Sequence, residues 1–305
     1  MTKLLGNFMA HVRNGTFPGR LQYEWDSLIA SMHRKWWKNN HIKGGRFQAP
    51  IQRGIRMEFL FDCQLSRLIY CENFEWAERQ FIRQFLKPGD TFVDVGANIG
   101  LFTLIAAKTV GPKGRVIAFE PTPQVYRRLN FNIQLNSLKK VIARQEALSD
   151  EDGVFPFNMS DDGFDAWNSF ASPIGGQSFR KAVVNCRKWD RLADELDLLG
   201  KVQLMKIDVE GWETHVLNGA GVSLGRGDAP VLLVEFTDAA AQSAGSSCKE
   251  LYLKLRELGY RLFSYDPIRH RMRSEPFRHV YPYCNLIATK SIKVIEKRIE
   301  VPWIN

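Results

Sequence analysis

Two groups of residues in this chain have the types and spacing to do chemistry. The first is Asp94-Val95-Gly96-Ala97-Asn98-Ile99-Gly100, a carboxylate followed by a turn with glycine at its first and last loop positions. Glycine allows a tight turn and a close approach of main chain to ligand. The pattern differs from the Gly-x-Gly-x-x-Gly loop of dinucleotide sites, because Asp94 offers negative charge to a cationic ligand where a pyrophosphate loop offers N–H groups. The second group is Asp208-Val209-Glu210-Gly211-Trp212-Glu213, three acids within six residues. Carboxylates so clustered can take a proton from a nucleophile or hold a hard divalent cation. Between the two, Glu120-Pro121 follows the first loop by about twenty residues, the spacing at which an acid accepts hydrogen bonds from ribose hydroxyls. Glu146-Ala147-Leu148-Ser149-Asp150 stands where a further strand end reaches an adenine edge.

These residues need strands and helices to bring them together. Apolar, β-branched runs at 91–95, 115–119, 141–146, 204–207 and 231–236 predict strands of about five residues. Helices are predicted at 101–109 and 124–135, and alternation of strand with helix implies a parallel sheet covered on both faces. Each chemical group then falls at the carboxyl end of a strand, where open α/β sheets bind ligands. Upstream, Ala77, Phe81 and Phe85 recur at four-residue spacing, predicting an amphipathic helix over 75–86 that Lys87-Pro88-Gly89-Asp90 stops. Downstream, Ser247 and Glu250 have capping-box spacing ahead of Leu251, Leu255 and Leu258, and Gly259 closes that helix. Runs at 260–265 and 285–289 are joined by a basic loop containing Arg269, His270, Arg271 and Arg273 and predict an antiparallel pair. The stretch 150–188 breaks the rhythm, with turn clusters at 160–163 and 172–176 around Phe164, Trp167 and Phe170, and reads either as part of a binding site or as a packing hairpin.

Composition is that of a globular protein: 305 residues, 45% hydrophobic and 25% charged. No apolar run approaches the roughly 18 to 20 residues of a bilayer span, and Met1 to Arg13 lacks a signal-peptide layout, so a soluble cytoplasmic protein is expected. Five scattered cysteines, odd in number and without a Cys-x-x-Cys pair, predict idle thiols rather than disulfides or zinc. The net charge of +9 is peripheral: residues 1–71 carry eleven Lys and Arg against Glu24, Asp26, Glu58 and Asp62, and the last fifty or so residues are also basic. We divide the chain into a basic, Trp-containing extension or cap (1–71), a main domain (72–290) and a tail (291–305). The basic ends suit an anionic acceptor, a membrane surface or an acidic carrier, or are ordinary solvated surface.

Taken together, Lys87-Pro88-Gly89-Asp90, the Asp94 to Gly100 loop, Phe119-Glu120-Pro121, Ala147-Leu148-Ser149-Asp150 and Lys206-Ile207-Asp208-Val209-Glu210-Gly211-Trp212-Glu213 resemble the FkbM-type methyltransferases. Asn132, Asn136 and Val216-Leu217-Asn218-Gly219-Ala220 add to the likeness, while Trp189-Asp190 departs from the family's usual Leu-Asp. The resemblance implies a Rossmann-like class I methyltransferase with a seven-stranded, mostly parallel sheet and a C-terminal antiparallel hairpin. It also implies S-adenosyl-L-methionine as cofactor, held by Asp94, Gly96, Ala97, Asn98, Gly100, Glu120, Pro121, Glu146 and Ala147. The usual reaction is O-methylation, often of a sugar hydroxyl in a glycan, glycolipid or natural product. A hydroxyl is a weak nucleophile and gains from a general base; Asp208 and Glu210 are the candidates, with His215 in reserve. No second acid group with ligand spacing is evident, and no metal is assigned. The alternative is an RNA methyltransferase whose basic ends hold the phosphate backbone, but no Asn-Pro-Pro-Tyr-like run follows the 204–207 strand to grip a flipped base, and no stable nucleic-acid partner is expected. A nicotinamide oxidoreductase is disfavoured by the loop and by the absence of a Tyr-x-x-x-Lys pair.

Overall fold

A strand buried on both faces reads as a continuous apolar run, and every residue of the strands at 91–95, 204–207 and 231–236 is indeed buried. The computed structural model describes residues 19–160, 170, 179–269, 271–299 and 303–304. The chain opens with α1 (Gly19–Asn40), the hairpin β1 (Arg46–Gln52) and β2 (Ile55–Leu60), α2 (Gln64–Cys71) and α3 (Trp76–Phe85). There follow β3 (Thr91–Val95), α4 (Leu101–Val110), β4 (Arg115–Phe119), α5 (Pro123–Leu135), β5 (Val141–Arg144), β6 (Ala147–Leu148), β7 (Gly153–Ser160) and β8 (Phe179–Arg187). The remainder is α6 (Trp189–Glu195), β9 (Leu204–Ile207), α7 (Glu213–Asn218), α8 (Gly221–Gly225), β10 (Val231–Phe236), α9 (Asp238–Ser243), α10 (Cys248–Glu257), β11 (Arg261–Asp266), β12 (Arg271–Ser274), β13 (Cys284–Thr289), α11 (Ile292–Glu296) and β14 (Trp303–Ile304).

The large sheet has nine strands in the order β14-β12-β11-β13-β10-β9-β3-β4-β5. From β5 to β10 neighbouring strands are parallel, and β13 inserts antiparallel between β10 and β11. The seven strands from β11 to β5 are the expected class I sheet with its late antiparallel pair. Beyond them the edge is longer than expected: Arg271 and Arg273, read as loop residues, lie on β12, which pairs with β11 and β14. His270 lies outside the described residues.

Strand alternation sorts the core into two layers. Phe92 faces a cluster with Leu104 and Leu129, whereas Val93 and Val95 face another with Ile117, Leu217 and Leu255. Trp37 of α1 and Met57 and Phe59 of β2 belong to the first layer, so the N-terminal elements are packed against the sheet. Two asparagines of the α5 region tie them down: Asn132 Oδ1 accepts from Glu58 N and Asn136 Oδ1 from Arg56 N, each at 2.8 Å. Asn132 also donates from Nδ2 to Ile99 O at 2.9 Å, which links the hairpin to the loop after β3.

The predicted strand at 141–146 ends at Arg144, because the chain turns there and Ala147 and Leu148 pair with β8 instead. The stretch after Asp150 is a long antiparallel hairpin of β7 and β8 with its own small core of Phe157, Met159 and Val184. Most of its tip, including 161–163, 172–176, Phe164 and Trp167, lies outside the described residues. Ser247 caps α10 as expected, accepting from Glu250 N at 3.1 Å. All five cysteines are free thiols. No described helix is long and apolar enough to cross a membrane.

Candidate active site

The loop after β3 can pass where it does only as glycine. Gly96 has φ +81°, and a Cβ there would stand 1.8 Å from the carbonyl oxygen of Asp208. The N–H groups of Gly96 and Ala97 both donate to Phe119 O (3.1 and 2.9 Å), Asn98 N to Glu120 Oε2 (3.1 Å), Ile99 N to Asn98 Oδ1 (2.7 Å) and Gly100 N to Ala97 O (2.9 Å). All five are committed within the protein, so the loop has none left to cradle a pyrophosphate, which sets it apart from a dinucleotide site.

One expectation for this loop is corrected. Asp94 does not face a ligand: it is fully buried on the same face of β3 as Phe92, accepts from Thr103 Oγ1 at 2.5 Å, and burial raises its pKa. Its bond to Thr103 anchors the first turn of α4, and Asp94 is not among the residues that line the cavity, while its other oxygen, Oδ1, is buried without a hydrogen-bond partner. Gly100 likewise stands behind the cavity wall, as the left-handed N-cap of α4.

The other loop residues, Gly96, Ala97 and Asn98, line a cavity of about 400 Å³ together with Glu120, Pro121, Glu146 and Ala147. Glu120 is 5% exposed and rigidly held, with Oε1 accepting from Thr122 N (2.9 Å) and Oγ1 (2.6 Å). Oε2 accepts from Asn98 N, so the carboxylate is fixed at both oxygens where it borders the cavity. Glu146 is ion-paired to Arg144 at 2.6 Å. The apolar wall of Val95, Phe119 and Leu148 between Glu120 and the acids of β9 suits an adenosyl group with a cationic sulfur. Glu120→Gln is expected to weaken S-adenosylhomocysteine by about 2 kcal/mol, roughly thirtyfold in Kd by calorimetry; an unchanged Kd would remove Glu120 from ligand contact.

At the far end of the cavity, β9 delivers Lys206, Asp208 and Glu210. Lys206 is 2% exposed, with Nζ 2.5 Å from Asp208 Oδ2 and 4.7 Å from the centre of the Phe102 ring. Burial alone would lower its pKa, but the carboxylates of Asp208, Glu75 and Asp94 outweigh that and raise it, so the ammonium stays charged. Glu210 has φ +55°, and burial beside Asp208 and Glu213 pushes its carboxyl well up. Glu213, the third acid of the run, turns back instead: Oε1 accepts from Val209 N (2.9 Å) and Gly211 N (3.2 Å), fixing the turn that presents Glu210. His215 also points elsewhere, stacked on Trp212 with centroids 3.7 Å apart and bonded through Nδ1 to Asp150 Oδ2 at 2.9 Å.

Two further acids, Glu75 and Glu235, come from distant parts of the chain. Glu75, the left-handed N-cap of α3, accepts at Oε1 from Tyr283 OH (2.6 Å) and Asn285 Nδ2 (3.3 Å), and burial raises its pKa to about 7. Glu235 of β10 is 5% exposed and accepts from Thr237 Oγ1 at 3.0 Å. An acid inside the apolar run Val231-Leu232-Leu233-Val234-Glu235-Phe236 is a signal that the sequence carries. Glu75 has none, since it reads as the polar start of an amphipathic helix. Trp212 and Phe170, 4.8 Å apart, wall the same end.

The family model of the methyltransferase FkbM domain matches residues 94–262, more than half of the chain. Methyltransferase 1 of Beauveria bassiana is 32% identical over 148 residues, which cover 43% of this chain and 59% of that protein. The 31-O-demethyl-FK506 methyltransferase FkbM of Streptomyces tacrolimicus is 38% identical over 91 residues, covering 29% and 34%. The chain thus spans about three fifths of the length of the first relative and about a third of the second. A crystal structure of methyltransferase FkbM from Methylobacillus flagellatus KT aligns with 73% of this chain and 54% of its own at 13% identity and a TM-score of 0.42. With the class I strand order and this match, the chain belongs to the FkbM methyltransferase family, and its cofactor is S-adenosylmethionine.

Proposed function

We propose that the protein transfers a methyl group from S-adenosylmethionine to a hydroxyl oxygen on a sugar of a glycan, glycolipid or natural product. The observation that carries this reading is the set of carboxylates, Glu75 and Glu210 foremost, that line the same cavity as the cofactor loop. A hydroxyl must lose its proton as it attacks, so it needs such a neighbour, and the Streptomyces relative is itself named for an O-demethyl substrate. Asp208 is held by Lys206 and supplies fixed negative charge. Both hydrogen bonds to Glu75 land on Oε1, leaving Oε2 to accept the acceptor's proton. The methyl donor supplies an electrophilic carbon, and the protein's part is to align the hydroxyl behind it and exclude water. A negatively charged portion of the acceptor, of a carrier or of a membrane surface would meet the second cavity, of about 650 Å³. That cavity is lined by Arg53, Arg79 and Arg83 and shares Ile69 with the first.

The test is incubation of the protein and S-adenosylmethionine with a panel of simple glycosides, with the methylated atom assigned by NMR. Methyl ethers are expected, and transfer only to nitrogen or carbon would overturn the reading. Glu75→Gln should lower turnover about a hundredfold, within the range for a lost general base, while the Kd of S-adenosylhomocysteine stays near wild type. Because a base works ionised, wild-type turnover should fall as pH drops through about 7, and the variant should lose that limb.

A further inference from the structure

We propose that Asp208, Glu210 and Glu235 bind a divalent cation of the magnesium or manganese type, which holds the acceptor hydroxyl; this rests on the hydroxyl-transfer reading above. One carboxylate oxygen from each residue lies within 4.8 Å of the others. The sheet itself sets two of them side by side: Val234 of β10 pairs with Ile207 of β9, so Glu235 and Asp208 are the next residues on adjacent strands.

Two oxygens outside the Asp208–Glu210 loop point to an occupant. Glu235 is 95% buried (5% exposed), and its Oε2 has no hydrogen-bond partner although Oε1 is satisfied by Thr237. Asn285, the register partner of Glu235 on β13, has a buried Oδ1 that is also without a partner, while its Nδ2 is spent on Glu75. A buried acceptor left unsatisfied carries its full desolvation penalty, and neighbouring carboxylates add repulsion. Among the described residues that line the cavity, only Lys206 brings positive charge, and its ammonium sits on Asp208 Oδ2. An occupant that accepts lone pairs and carries two positive charges answers both deficits. The donors are all oxygen, with no histidine or cysteine among them, which selects magnesium, manganese or calcium over zinc.

On such a cation the acceptor hydroxyl would be more acidic. Its proton passes to Glu75, its oxygen forms the bond to the methyl carbon, and the carbon–sulfur bond breaks with its electron pair left on sulfur. The cation is unchanged.

The experiment is titration of chelator-treated protein with Mn²⁺, following the free-ion electron paramagnetic resonance signal with and without S-adenosylhomocysteine. One Mn²⁺ per chain, displaced by Mg²⁺, is expected. Glu235→Gln and Glu210→Gln should each weaken Mn²⁺ at least about tenfold while S-adenosylhomocysteine still binds with wild-type affinity, which keeps misfolding separate from loss of a ligand. No Mn²⁺ uptake by the wild type, or uptake that survives both substitutions, would overturn the site; a carboxyl proton would then be what satisfies Glu235. Mn²⁺ uptake by a protein that methylates no glycoside leaves the site standing and removes the acceptor reading. Full turnover in chelator without Mn²⁺ uptake does the reverse.

Discussion

Gly96→Ala is expected to abolish measurable binding of S-adenosylhomocysteine, a loss of at least about a hundredfold by calorimetry. The new Cβ would be 1.8 Å from the carbonyl oxygen of Asp208. Relief requires the loop after β3 and the end of β9 to separate, although Asp208 N donates to Val95 O at 3.1 Å and the Gly96 and Ala97 N–H groups hold Phe119 O. The obstructing Asp208 backbone cannot swing away as a side-chain tip can, and φ +81° adds about 1 kcal/mol or more for a residue with a Cβ. The cofactor crevice lies along that seam, so the movement falls on the binding surface itself. Gly100→Ala is the control: its Cβ would meet the tip of Leu129 at 2.7 Å, behind the wall, and should cost stability more than affinity. Wild-type affinity in a folded Gly96→Ala protein would mean that this loop is not the cofactor wall.

Asp208→Ala should be the most destabilising substitution in the site. Removing one partner of a buried ion pair leaves the other charge uncompensated, at a cost of about 3–5 kcal/mol. Lys206 is 2% exposed, and Asp208 is its direct partner. The loss is read as a shift in the denaturant midpoint at constant m-value. Pairing it with Lys206→Met separates two roles. The double variant should recover most of the stability, because no buried charge is left alone, but none of the turnover, because the acids at the acceptor end remain incomplete. A loss below about 1 kcal/mol in Asp208→Ala would mean that Glu75 and Asp94 suffice as counter-ions. Turnover retained in the double variant would clear Asp208 of any part in the chemistry.

Much of this site was legible in the chain because it is written locally. The Asp94 to Gly100 loop, the apolar strands that precede Gly96, Glu120 and Asp208, and the helix cap at Ser247 each depend on residues a few positions apart, and each lies where periodicity and turn chemistry put it. The antiparallel pairing of β11 with β13 also followed from two late strands without a helix between them. Tertiary structure decided which way those residues face and what they meet. Asp94 and Glu213 have the right type and spacing, yet Asp94 is buried against Thr103 and Glu213 is consumed by the turn. Glu75 and Glu235 line one cavity, and Asn285, 210 positions from Glu75, bonds to it there. They do so because the end of β10, beside β9, meets the start of the antiparallel β13 and the N-cap of α3, a convergence set by strand order and register that no local pattern encodes.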